Sequence, residues 1–169
     1  MEGAISDSRN SVEARLDRIE CNWHCDLAVQ AAIPIRLLRV RDILFQNGRK
    51  VMESVPLSPS EFDVLSTLRS SGRPYEMTPT QLASAVLLTS GGMTKTLKGL
   101  ETKGYIERFC FETDRRSKFV RLTGAGRELI ETLLPKVLKN HTKIIQQALS
   151  DSEQAALNML LSKLLTSLE

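Results

Sequence analysis

"TSGGMTKTLKGLETKGYIER", from Thr89 to Arg108, has the spacing of a helix and opens on two adjacent glycines. Glycine inside a helix costs about 1 kcal/mol relative to alanine, so two at one helix start need a reason. Further along, Met93, Leu97 and Leu100 recur at steps of four and three and build one apolar stripe. Thr94, Lys95, Lys98 and Thr102 fall on another face. The segment reads as a helix over about 90–103 that packs on one side and offers hydroxyls and ammonium groups on the other.

Upstream, the helix starts are punctuated. "SPSE" (Ser58 to Glu61) and "TPTQ" (Thr78 to Gln81) place a hydroxyl at the N-cap, proline at the first helical position and Glu or Gln at the third. They predict helices over about 59–70, with Phe62, Leu65 and Leu68 on one face, and 79–86, with Leu82 and Val86 inward. "SDSE" (Ser150 to Glu153) opens another over about 152–168, carrying Leu157, Leu160, Leu161, Leu164, Leu165 and Leu168. A long helix is expected over about 10–46, bent or broken near Pro34, and a further one from Thr123 to about 149.

Downstream of the glycine-led helix the pattern changes. "GYIERFCFE" (Gly104 to Glu112) and "KFVRLT" (Lys118 to Thr123) are rich in aromatic and β-branched residues and flank the polar "TDRRS" (Thr113 to Ser117). That predicts a β-hairpin with a basic tip. Two short helices joined by a short "LLT" connection, then a hairpin, is the order of a winged helix-turn-helix. In that unit the second helix enters the DNA major groove and the first crosses the backbone.

The two glycines then have a use. In the first helical turn Gly91 and Gly92 escape much of the interior penalty, and a helix N-terminus without side chains lets phosphate approach the backbone N–H groups. Tight packing of that helix end against a neighbour is the alternative. The expected DNA contacts are Thr78, Thr80, Thr89, Ser90, Gly91, Thr94, Lys95, Lys98, Arg115, Arg116 and Lys118. Arg115, Arg116 and Lys118 at the tip suit phosphate or the minor groove, with Asp114 holding an arginine in place. A solvated basic turn is the plainer reading.

The 169 residues, 41% hydrophobic and 25% charged, suffice for a buried core without disulfides. The net charge of +3 does not by itself indicate nucleic acid; the placement of cations decides. Three cysteines without regular spacing argue against a secreted disulfide framework. No apolar signal core opens "MEGAISDSRNSVEARLDRIE", and no run reaches the roughly 18 apolar residues of a membrane span. A cytoplasmic protein without a membrane partner is expected.

Residues 57–128 resemble the MarR family of bacterial transcription regulators. The resemblance is carried by "LSPSEFDVLSTLR", "MTPTQLASAVLLTSGGMTKTLKGLETKGYIER" and "TDRRSKFVRLTGAGRELI", with the Asp114-x-Arg116 wing element and "LTGAG" (Leu122 to Gly126) as hallmarks. The fold expected is mostly α with a small β-hairpin wing. Residues 1–48 would form an N-terminal helical dimerisation region, 49–123 the winged DNA-binding domain, and 124–169 the C-terminal dimerisation helices.

The resemblance implies a homodimer on a pseudo-palindromic operator of double-stranded DNA, with repression relieved by a small effector, often a phenolic or aromatic acid. The leucines of the last helix would leave a large apolar stripe exposed unless another chain or the long helices cover it. One branch of the family binds urate through Trp, Asp and Arg. Trp23 and Asp63 match the first two as candidate ligand residues, whereas Thr96 stands where the Arg is expected. A core role for Trp23 and a surface hydrogen-bonding role for Asp63 are the alternatives.

Cys21, His24 and Cys25 share a helix face at i, i+3 and i+4. They suit a thiol sensor or part of a metal site, but three ligands are not four, and His141 is the only other histidine. Cys110 is expected to pack within the wing. No catalytic, metal or cofactor motif is present, so no enzyme is expected. Two readings stand beside the regulator: a winged-helix module that binds protein, and a thiol- or metal-sensing regulator using Cys21 and Cys25.

Overall fold

Where capping residues were spaced for it, helices begin. A computed structural model describes residues 11–23, 29–111 and 114–169. Its elements run α1 (Val12–Trp23), α2 (Val29–Met52), α3 (Pro59–Ser70), β1 (Glu76–Met77), α4 (Pro79–Ala85), α5 (Ser90–Thr102), β2 (Ile106–Phe111), β3 (Asp114–Leu122), α6 (Gly124–Ala148) and α7 (Asp151–Thr166). The Ser58 hydroxyl accepts the Glu61 N–H at 3.3 Å while the Glu61 carboxylate accepts the Ser58 N–H at 2.7 Å. Thr78 and Gln81 repeat the exchange at 3.2 and 2.8 Å. At α7 the Glu153 carboxylate takes both the N–H and the hydroxyl of Ser150. These bonds satisfy N–H groups that a first helical turn leaves unpaired.

The chain divides into two compact units, Met1–Asn47 and Gly48–Glu169. In the first, Leu16 and Ala32 are buried. The Arg36 guanidinium grips Glu13 with both ends, at 3.0 and 2.6 Å. The helix expected over 10–46 is described as α1 and α2, and residues 24–28 between them lie outside the described residues. Pro34 lies inside α2 rather than at a break, and α2 continues to Met52. A proline forgoes only one ladder bond, and the regular spacing on either side of it carries the helix through.

In the second unit α3, α4, α5 and α6 enclose a core with a three-stranded antiparallel sheet of order β1-β3-β2. Val64, Leu65 and Leu68 of α3, Leu82 of α4, and Met93, Leu97 and Leu100 of α5 meet Val120 of β3 and Ile130 of α6. The apolar stripe predicted for α5 is the buried one. Two expectations about the wing change. A short strand, β1, adds to the hairpin, pairing Glu76 with Arg121 and Met77 with Val120. The polar run 113–117 is no long turn either: β3 already begins at Asp114, which pairs with Phe111. Cys110 is exposed rather than packed, opposite Lys118 on the strand face away from Phe109, which stacks on Phe119 at 5.8 Å between centroids. No helix among the described residues is long and apolar enough to cross a membrane.

Candidate nucleic-acid interface

Helix α5 is held by its own sequence at the start and by its neighbours elsewhere. Thr89 is its N-cap, with the hydroxyl accepting the Gly92 N–H at 3.2 Å. The two glycines serve different ends. A Cβ on Gly91 would meet nothing within 4 Å, so packing does not require glycine there; a Cβ on Gly92 would sit 3.2 Å from the capping Thr89 hydroxyl. The helix start at Gly91 is open to a ligand, while Gly92 makes room for the cap. Just before it, the exposed Leu87 adopts φ 54° in the turn from α4. A left-handed leucine is uncommon, and no residue-type signal announced it.

The exposed arc of α5 carries Gly91, Thr94, Lys95, Lys98 and Thr102, opposite the buried Met93, Leu97 and Leu100. The Thr94 hydroxyl donates back to the Ser90 carbonyl at 3.0 Å, and that of Thr102 to Lys98 at 2.9 Å. Both keep oxygen lone pairs and a methyl for an outside partner. A groove of about 350 Å³ flanks the arc between α4, α5 and the wing, and its lining brings together Thr80, Ser90, Thr94 and Lys118. A second of about 700 Å³ flanks the α3 side and is lined in part by Lys95, Lys98 and Thr96. Thr78 stands apart from the exposed set: it is half-buried and its hydroxyl serves the α4 cap. Arg115 and Arg116 lie on β3, with side chains outside the described residues.

A cation that sequence reading passed over organises the wing. Arg121 donates to Glu76 at 2.9 and 2.7 Å, reaches Glu107 at 3.4 Å, and lies 4.2 Å over the Phe109 ring. It bolts β1 to β3 and β2. Its Glu76 partner lies in a strand visible only in the folded chain.

Another missed pair joins α3 to α5. Glu61, 6% exposed, accepts from Lys103 at 2.7 Å through each carboxylate oxygen. Burial alone would raise its carboxyl; hydrogen bonds from Lys103 and Ser58, with the Lys103 charge, outweigh that and the net shift is downward. A carboxylate held low when folded stabilises above its unfolded pKa and loses that contribution as pH falls through the folded value. In thermal melts the advantage of wild type over Glu61→Gln should therefore hold at neutral pH and shrink below about pH 4.5. A gap constant from pH 7 to pH 3 would refute it. Asp63 acts oppositely, since desolvation pushes its carboxyl up.

Of the candidate effector residues, Trp23 ends α1 in the first unit and is 75% exposed. Asp63 is an exposed residue of α3 in the second unit. Thr96 is buried and its hydroxyl donates to Ser60 at 3.3 Å. Cys21 is exposed and unpaired; His24 and Cys25 lie outside the described residues. Among the described residues no group of three or more His, Cys, Asp or Glu could hold a metal ion.

This geometry has counterparts. The sequence model of the MarR family matches residues 57–118. The chain is 34% identical over 143 residues to the HTH-type transcriptional regulator PecS of Dickeya dadantii, covering 84% of this chain and 86% of PecS. It is 29% identical to the transcriptional repressor MprA of Escherichia coli, covering 90% and 86%. In fold it is similar to Bordetella bronchiseptica BpsR, whose structure bears on regulation of DNA binding by 6-hydroxynicotinic acid; the TM-score is 0.68 at 21% identity, over 83% of this chain and 97% of BpsR. With the winged helix in place and the match to PecS running through most of both chains, this protein belongs to the MarR family of DNA-binding transcription regulators.

Proposed function

We propose that the protein is a homodimeric repressor that reads a pseudo-palindromic operator and is released by a small aromatic acid. The observation that carries the DNA reading is the exposed arc of α5, with Gly91 open at its start and Thr94, Lys95 and Lys98 along it. Lysines there neutralise phosphate, and threonines touch thymine methyls or phosphate. Helix α4 braces the backbone, and β2–β3, with Arg115, Arg116 and Lys118, grips flanking DNA. A protein-binding module would instead present apolar residues, and this arc has none.

Dimerisation is supported by apolar surface on both terminal regions. Val29, Leu38, Val40 and Phe45 of α2 are exposed, as are Met159, Leu160, Leu165 and Leu168 at the other end of the chain. Such faces need a partner, and a second copy supplies one for residues 1–48 and 124–169 together. MprA's name, repressor, supports the sign of regulation. Regulation of BpsR's DNA binding by 6-hydroxynicotinic acid, an aromatic acid, supports the effector class. Such a ligand releases the operator only by the difference in its affinity for the bound and free states.

Titration onto labelled DNA from the protein's own upstream region, against a scrambled duplex and across salt concentrations, tests this. Saturable, salt-sensitive preference for the upstream fragment, lost on adding an aromatic acid, with sedimentation as a dimer, is the expected outcome. Equal binding to both duplexes, or a monomer throughout, refutes it.

A further inference from the structure

We infer that Lys103 is a positioning residue for the recognition helix: paired with Glu61, it sets the tilt of α5 and makes no DNA contact of its own. Lys103 is the C-cap of α5. Its ammonium shares the α3-side groove with Lys95 and Lys98 but is committed to the start of α3, donating to both Glu61 oxygens and to the Pro56 carbonyl, each at 2.7 Å. These acceptors fill the three donors an ammonium has, leaving none for phosphate. Glu61 is committed from the other side, where it accepts the Ser58 N–H at 2.7 Å.

The third member is Gly99. A Cβ there would lie 2.7 Å from Glu61 Oε1, so glycine lets the carboxylate press against the helix. The Thr96–Ser60 hydrogen bond ties the same two helices one turn earlier. These links fasten the C-terminal half of α5 to α3, whereas the Gly91 end is held by the Thr89 cap and the buried Met93.

Lever arithmetic gives the fastening a consequence. A helix of 13 residues is about 20 Å long. Tilting it by about 10° around its middle moves the N-terminal end by nearly 2 Å, more than the 2.7–3.2 Å window of a hydrogen bond allows. Base contacts would be lost, while attraction to phosphate, which does not depend on fine geometry, would persist. The pair therefore governs specificity rather than overall affinity.

The inference rests on α5 reading DNA, and a wild type without preference for its upstream fragment would overturn that reading first. With preference established, Lys103→Met, Glu61→Gln and the double variant are titrated onto operator and scrambled duplex across salt, with melting recorded for each. Glutamine at 61 keeps an oxygen for the Ser58 N–H, so Glu61→Gln decides the matter should Lys103→Met fail to fold. Expected is a loss of about tenfold on the operator, the scale of one base contact, in each single variant and no more in the double. Binding to scrambled DNA stays within about twofold and the log–log salt slope is unchanged. A slope lower by about 0.9 in Lys103→Met, with both duplexes weakened, would make Lys103 a phosphate ligand and overturn the inference. So would operator binding within twofold of wild type in Glu61→Gln.

Discussion

Lys95→Met combined with Lys98→Met should weaken operator binding about 30-fold near 0.15 M salt, and scrambled DNA by a similar factor. Both side chains stand exposed on the arc of α5. Each lysine that neutralises a phosphate contributes about 0.9 to the log–log dependence of affinity on salt. At 0.15 M, relative to 1 M, that exponent is a factor of about 5.5 per lysine, hence about 30 for two. The salt slope should fall by about 1.8. Loss confined to the operator with an unchanged slope would mean the lysines read bases, and no change in either would remove them from the interface. The contrast with Lys103 is informative because all three lysines belong to the same helix or its cap. Bonding partners, not charge, separate their roles.

Gly126→Ala should destabilise the winged unit by about 3 kcal/mol, the upper end of the range for overpacking, lowering Tm by roughly 6–12 °C. A Cβ at Gly126 would sit 2.1 Å from the Tyr105 carbonyl oxygen and 2.9 Å from its carbon. The obstacle is backbone, so no rotamer relieves it. The Tyr105 carbonyl is itself held by the Thr123 N–H at 3.1 Å, and the Thr123 hydroxyl donates to the Gly104 carbonyl at 2.8 Å. Relaxing the clash therefore pulls the start of α6 off the turn between α5 and β2. Gly124 is the control: a Cβ there meets nothing within 4 Å, so Gly124→Ala should be neutral or mildly stabilising. Thermal melts of the two variants check this, and equal Tm values would refute it.

The two glycine pairs show how far residue type alone carries. "SGG" and "TGAG" look alike as helix starts. In each, one glycine stands in open space and the other fits a close approach, to the Thr89 cap at Gly92 and to the Tyr105 backbone at Gly126. Composition cannot assign those parts, because the neighbour that excludes a Cβ is supplied by the fold. Likewise Arg121, which sequence reading passed over, is spent on Glu76 and Glu107, while Lys118 of the same strand lines the groove beside α5.

What the sequence by itself determined is whatever rests on bonds within a few residues. The starts of α3, α4 and α7 followed from hydroxyl and carboxylate or amide groups three residues apart. The buried face of α5 followed from steps of three and four, and the winged helix-turn-helix from the order of those elements. Tertiary structure alone decided the contacts between distant segments. A two-residue strand such as β1 has no local hydrogen bonds to announce it and exists only through β3. The Glu61–Lys103 pair spans 42 positions. Pro34 predicts a bend or break in the N-terminal helix, yet it lies inside α2, because residue type marks a lost ladder bond and not whether the rest of the helix outweighs it. Local chemistry sets helix ends and faces; the direction of a lysine or the need for a glycine waits for the neighbour that folding brings to it.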